Sequence, residues 1–290
     1  MHVVKWGAGQ PRQRTTESNW KQPLKWNREA AQKGIRPRVF CASLADVFDN
    51  EIDPQWRIDL LRLIAGTPHL DWLLLTKRIG NAHNMMVDAF RAGWPEHETM
   101  WARWPELFRN IWLGATICNQ EEADRDIPKL LAVPAAKRFL SIEPMLGPIN
   151  LNLAGCLDGC GWITPVLCNG DKDFCCPTCN TMVTRCGLGI TPGSFISKRA
   201  LDWVIVGGES GTQARPVSPD EVRHLRDQCR AAKVPFLFKQ WGEWSPREPY
   251  GSEWMESDEL CGKWDGSMYR YGKKAAGRSL DGRTWDEVPI

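Results

Sequence analysis

The chain has 290 residues, 42% of them hydrophobic and 25% charged, with a formal net charge of +2. Such a composition sustains one large core, or a core and a small insert, and excludes a disordered chain. A balance this close to neutrality gives no overall electrostatic footprint for nucleic acid or a membrane surface.

No segment approaches the roughly 18–20 consecutive apolar residues that span a bilayer, and Met1 to Gln10 lacks the apolar centre of a secretory signal. The expected location is therefore the cytoplasm, where clustered cysteines signal metal more often than disulfides.

Residues 1–37 read as a basic arm in which Trp6, Trp20 and Trp26 are interleaved with Arg12, Arg14, Lys21, Lys25 and Arg28. Tryptophan and arginine in alternation can stack on bases and hold phosphates, or simply pack an arm onto its own domain. Pro11, Pro23 and the Gly7/Gly9 pair predict a loop, with a short helical stretch over Asn27 to Lys33.

The next segment, Arg38 to Phe48, predicts a strand that delivers Ser43 and Asp46 at its end. Asp53-Pro54 is a helix start, with Asp as cap and Pro in the first turn, and Trp56, Leu60, Leu63 and Ile64 follow at helical spacing. A second strand, Trp72 to Thr76, ends in Lys77-Arg78, and a helix over about Ile79 to Ala92 leads into a Trp/Pro-rich stretch.

A third strand, Ile111 to Ile117, ends near Thr116 and Asn119, and Asn119 with Glu122 forms a capping box for a helix reaching about Val133. The fourth strand, Arg138 to Ile142, ends in Ser141 and Glu143-Pro144.

Beyond the cysteine-rich segment, Trp203 to Val206 is an unbroken β-branched apolar run, the pattern of a strand buried on both faces. Gly207 and Gly208 end it and display Glu209 and Ser210. Ser218-Pro-Asp-Glu221 starts the next helix, and Pro235 to Phe238 forms a last strand followed by Lys239 and Gln240.

Strand and helix alternating in this way predict a parallel sheet with right-handed crossovers. An open doubly wound sheet and a partial (β/α) barrel of about six strands both satisfy the order. The barrel is favoured because every strand leaves polar residues at its carboxyl end, where a barrel gathers them at one mouth. Lys77, Arg78 and Lys239 there suit a phosphate or carboxylate. Asp46, Glu143 and Glu209 suit an amine, ribose hydroxyls or proton transfer, and Thr76, Asn119, Ser210 and Gln240 complete a polar rim. A web of ion pairs that merely stabilises the mouth is the competing expectation.

Of 11 cysteines, seven fall between Cys156 and Cys186. The Cys176-Pro-Thr-Cys179 knuckle together with Cys156 and Cys160 predicts a tetrahedral, all-thiolate structural zinc site, with metal supplying the folding free energy of a segment too polar to build a core. Cys168, Cys175 and Cys186 are possible substitutes, and an iron–sulfur cluster is the alternative metal. Cys41, Cys118, Cys229 and Cys261 read as small buried residues. The expected organisation is the arm at 1–37, a barrel over 38–153 and 197–242, a metal-binding insert at 154–196, and an irregular extension at 243–290 with a hairpin near Asp265-Gly266.

The segments 38–48, 72–78, 111–114, 139–148, 201–216 and 235–242, with the tail 272–285, resemble a phage and prophage protein family similar to radical S-adenosylmethionine enzymes, in particular the spore-photoproduct-lyase-like group. The Ile205-Val-Gly-Gly-Glu-Ser-Gly211 and Phe238-Lys-Gln-Trp241 segments carry the resemblance most specifically. It implies S-adenosylmethionine and a [4Fe-4S] cluster as cofactors and a nucleotide or nucleic-acid substrate. If the cluster loop exists in the natural protein, strand-end position rather than the resemblance assigns the roles: Glu209 or Glu143, with Ser43 and Ser210, would hold the cofactor, and Lys77, Arg78 and Lys239 would face a phosphate-bearing substrate.

The family's three-cysteine cluster motif is missing, since no cysteine precedes Cys41. The motif is expected either upstream of Met1 or lost. A catalytically silent zinc-containing module that binds nucleic acid or a host protein is the second expectation.

Overall fold

The computed structural model describes residues 9–41, 45–95, 108–151, 201–246 and 268–290 in full, and the backbone of the strands at 153–155, 163–165, 174–175, 182–183 and 263–264. Its fold is α/β. Six parallel strands, flanked by helices and wound in chain order, form the principal sheet of a partial (β/α) barrel. Two compact units divide it: Met1–Ala115 with Ala132–Lys137, and Thr116–Leu131 with Arg138–Ile290.

In the first unit α1 (Glu17–Lys33) precedes β1 (Arg38–Cys41), α2 (Pro54–Ala65), β2 (Asp71–Thr76), α3 (Ile79–Gly93) and β3 (Ile111–Thr116). β1 pairs with β2 and β2 with β3, each in parallel register. Trp72, Leu73, Leu74, Ile111 and Leu113 are buried, as the unbroken apolar runs demand of strands covered on both faces. Asp53 caps α2 by accepting a hydrogen bond from the Gln55 N–H at 2.9 Å, with Pro54 in the first turn, as expected.

The first unit departs from the expected elements at two places. Where the sequence predicts a loop and a short helical stretch, α1 is a 17-residue helix that contains Pro23. The Glu17–Lys21 and Lys25–Glu29 pairs, four residues apart, and Gly34 in the left-handed region at its end favour the helix along its length. The strand expected over Arg38 to Phe48 stops at Cys41. Asp46 instead anchors a turn, its carboxylate accepting from the Phe48 N–H at 3.0 Å, a local bond that competes with strand pairing.

In the second unit α4 (Gln120–Ala132), β4 (Lys137–Ile142, its first residue in the other unit), β9 (Trp203–Gly207), α5 (Pro219–Ala231) and β10 (Phe236–Gln240) form the frame. β4 pairs with β9 and β9 with β10, again parallel. Phe139, Leu140, Val204, Val206, Phe236 and Phe238 are buried, together with Val222, Leu225 and Cys229 from α5. Each such side chain contributes about 1.5–3 kcal/mol of burial.

Four short strands lie between β4 and β9: β5 (Leu153–Gly155) pairs antiparallel with β6 (Ile163–Pro165), and β7 (Phe174–Cys175) with β8 (Met182–Val183). The proposed zinc ligands Cys156, Cys160, Cys176 and Cys179 lie outside the described residues.

The tail makes a three-stranded antiparallel sheet of β11 (Trp244–Pro246), β13 (Met268–Arg270) and β12 (Lys263–Trp264), and a short helix, α6 (Lys273–Ala276). Pairing of Trp264 with Met268 brackets Asp265-Gly266, bearing out the expected hairpin. The tail also closes the free edge of β10, through a bridge between Leu237 and Asp286 and a bond from the Phe238 N–H to the Trp285 carbonyl at 2.9 Å. Among the described residues, no helix is long and apolar enough to cross a membrane.

Candidate functional site

The polar strand ends resolve into two networks, one in each unit. In the first, the Asp46 carboxylate accepts from the Thr76 hydroxyl at 2.7 Å, the Lys77 N–H at 3.0 Å and the Arg78 guanidinium at 3.3 Å, besides the Phe48 N–H. Its lone pairs are thus occupied by its own chain, and Asp46 acts as a staple between the end of β2 and the turn after β1.

Arg78 also approaches Asp49 at 3.8 Å, and Arg12 from the arm bonds Asp49 at 2.9 Å and Glu51 at 2.8 Å. Burial raises the Asp49 carboxyl, but the Glu51 N–H, Arg78 and Arg12 outweigh it and hold it below its ordinary value. Lys77 is exposed, and its ammonium has no partner among the described residues. Ser43 lies outside them.

In the second unit the network is open. Glu143, which follows β4, accepts from the Lys239 ammonium at 2.7 Å on one oxygen and from the Gln240 amide at 2.7 Å on the other. The same amide reaches the Ser210 hydroxyl at 3.4 Å. Adjacent residues of a regular strand point to opposite faces, so Lys239 and Gln240 should not both grip one carboxylate. They do because the pairing of β10 with β9 shifts by one residue: Phe238 lies beside Val206 and Gln240 beside Gly207, leaving Lys239 as the extra residue. The sequence predicted a strand ending at Phe238, whereas β10 runs on through both gripping residues.

The glycines explain the space. A Cβ on Gly207 would stand 3.1 Å from the Glu143 carboxyl carbon, so the missing side chain leaves Glu143 its room. A Cβ on Gly208 would lie 1.9 Å from the Trp241 carbonyl oxygen, and one on Gly242 2.0 Å from that of Glu209. Gly208 is thus required by backbone packing against the end of β10, where its N–H donates to the Gln240 carbonyl at 2.9 Å.

Two residues from the strand-end set have structural work. Asn119 caps α4, accepting from the Glu122 N–H at 2.9 Å, the first half of the expected capping box; Glu122 reaches one residue past the cap and accepts from the Cys118 N–H at 2.7 Å rather than from that of Asn119. Glu209 is clamped by the Arg215 guanidinium through two bonds of 2.8 Å and by the Arg215 N–H at 2.8 Å. That guanidinium holds the Glu209 carboxyl below its ordinary value. Sequence reasoning passed over Arg215; its signal was the turn-rich Ser210 to Ala214 segment, which brings a cation back onto Glu209.

Glu143, Ser210, Lys239 and Gln240 remain as the set that can address a ligand. The Glu143 side chain is 20% exposed, and each of its oxygens retains acceptor capacity. The Lys239 ammonium keeps two further donors. The arrangement suits a molecule that presents hydroxyl or ammonium donors beside an anionic group.

The family model DUF5131, described as a protein of unknown function, matches residues 2–289. No curated protein and no solved structure matches the chain. With a match over nearly its full length, the chain belongs to the DUF5131 family.

Proposed function

We propose that the chain is a ligand-binding barrel whose second-unit network, Glu143, Ser210, Lys239 and Gln240, takes the polar part of a nucleoside or nucleotide, with S-adenosylmethionine the leading candidate. The observation that carries this reading is the grip of Lys239 and Gln240 on a carboxylate that still faces solvent. Glu143 would accept from ribose hydroxyls or an ammonium, and Lys239 would pair with a carboxylate or phosphate. Gly207 and Gly208 shape this end of β9, while Thr76, Lys77, Arg78 and Asp46 line the strand ends of the first unit. The resemblance to adenosylmethionine barrels of phage origin points to the same ligand class and to a nucleotide or nucleic-acid substrate.

A [4Fe-4S] cluster needs three or four thiolates. No cysteine precedes Cys41, burial pushes the Cys41 thiol up to about 12 and the Cys229 thiol higher still, and no group of three ligating side chains is found among the described residues. The described residues do not fit the cluster.

The test is titration calorimetry of the purified chain with S-adenosylmethionine, its homocysteine analogue and mononucleotides. Glu143→Gln should weaken binding by about tenfold or more, since a hydrogen bond to a charged group contributes about 1.5–3 kcal/mol. Unchanged affinity in Glu143→Gln, or no binding of any of these compounds to the parent chain, would sink the proposal.

The second reading, a zinc-containing binding module, draws on the hairpins. Cys156 and Cys160 lie in the sequence joining β5 to β6, and Cys176 and Cys179 in that joining β7 to β8, whereas Cys175 is within a strand and Cys168 and Cys186 fall outside both connections. Two pairs, one in each connecting sequence, favour the four-thiolate assignment over its substitutes. Metal analysis should find about one zinc per chain, lost in Cys176→Ser; iron with sulfide, or no metal, would count against it.

A further inference from the structure

The two edges of the principal sheet are treated differently. The tail covers that of β10, whereas β1, the terminal strand at the other end of the sheet order, pairs only with β2 among the described strands. An uncovered edge presents unpaired N–H and C=O groups that template another strand, and natural proteins blunt it with shortness, charge, proline, a bulge or a cover. β1, reading Arg38-Val-Phe-Cys41, is short and opens on a charge, but Val39-Phe-Cys41 carries neither charge nor proline, its pairing with β2 runs without a bulge, and no described strand covers it.

Beside it runs a groove of about 470 Å3, lined by Trp26, Ala30 and Lys33 from α1 and by Ile35, Arg38 and Phe40 from β1 and its approach. Trp26 is 38%, Ile35 50% and Phe40 46% exposed, which gathers large apolar side chains on one small surface. Such clustering marks an interaction site more often than scattered exposure does.

Charge selects the occupant. Of the charged residues on the groove, Glu29 is already offset by Lys25 at 3.8 Å. Lys33 has no described partner, and Arg38 lies 5.6 Å above the Trp112 ring with its charge unopposed. The groove is therefore apolar at its floor and positive at its wall. A second copy would bring the same two cations against themselves.

We propose that the edge of β1 takes up an extended peptide strand from a partner protein, apolar at alternate positions and acidic at its flank. Main-chain bonds to β1 supply affinity, and alternate side chains enter the groove against Phe40, Ile35 and Trp26. This site lies wholly within the first unit and does not depend on the ligand proposed for the second.

The experiment is selection of random octapeptides, displayed on messenger RNA, against the intact chain, followed by affinity measurement of the enriched peptides by fluorescence anisotropy. Alternating apolar residues with aspartate or glutamate at one end should emerge. Phe40→Asp, an exposed position, should weaken them by about tenfold or more, the loss of most of one buried phenylalanine contact. Lys33→Glu should switch the preferred flank from acidic to basic, a reversal that mere surface hydrophobicity would not produce. Circular dichroism checks that both variants fold.

Enriched peptides that bind both variants as they bind the parent would overturn the proposal, as would a selection with no alternating pattern. Sedimentation velocity provides the remaining arm: a dimer of the parent chain that Phe40→Asp converts to monomer would overturn it in favour of self-association through this edge.

Discussion

At the scale of single residues, polar character in the sequence located the strand-end networks but not the division of labour within them. Asp46 and Glu143 are both acidic residues near strand ends, yet Asp46 is saturated by its own chain while Glu143 accepts a single bond on each oxygen and stays 20% exposed. Saturation depends on neighbours far apart in sequence, such as Thr76 for Asp46 and Lys239 for Glu143, and no spacing rule reports it. The glycine pair was legible as a strand end; its physical reason, contact with the Trp241 carbonyl, was not. Gly208→Ala should accordingly cost on the order of 3 kcal/mol or prevent folding, because the clash is with backbone that cannot swing aside. A denaturation midpoint close to that of the parent would refute the packing argument. Cys229 is fully buried and burial raises its thiol far above neutrality, so it should resist iodoacetamide at pH 8 in the native chain and react on unfolding; peptide-resolved mass spectrometry reads this directly.

At the scale of elements, caps and periodicity carried well. The Asp53-Pro54 start of α2, the Asn119–Glu122 box of α4 and the all-apolar strand β9 form where local chemistry placed them. Loss of the α2 cap in Asp53→Ala should lower stability by about 1 kcal/mol with ligand binding untouched, and a change within error in the urea midpoint would mean that the first turn is held by other contacts. α1 escaped prediction because Pro23 reads as a breaker in isolation. In the folded chain Pro23 and Ala30 are buried, and the arm is held by the bond from Arg14 to Asp59 at 2.6 Å. Tertiary contact thus overrides a local signal worth up to about 3 kcal/mol against the helix.

At the scale of the whole molecule, the carboxylates set the response to acid. In Asp49, Asp59, Asp126 and Asp281, burial works to raise the carboxyl and is outweighed by hydrogen bonds and neighbouring cations; in Glu209 and Asp227 the bond from Arg215 or Arg226 leads. All are lowered, so the stability they add is complete above the unfolded value of about 4 and is lost as pH falls through the depressed folded values. Glu221, raised by burial, acts in the opposite sense and is outnumbered. Stability should therefore be flat from pH 7 to about 5 and decline below about 4, less steeply in high salt because exposed pairs contribute only ~0–1 kcal/mol each. Urea midpoints that rise on acidification would contradict this assignment. The one-residue shift in β10 has a different reach. Removing Lys239 would let the strand realign on β9 without a kink and leave the Phe236-Leu-Phe238 run intact, yet strip Glu143 of its ammonium. For the proposed ligand site, count therefore matters as well as composition: deletion of Lys239 alone is expected to abolish ligand binding in a protein that still folds.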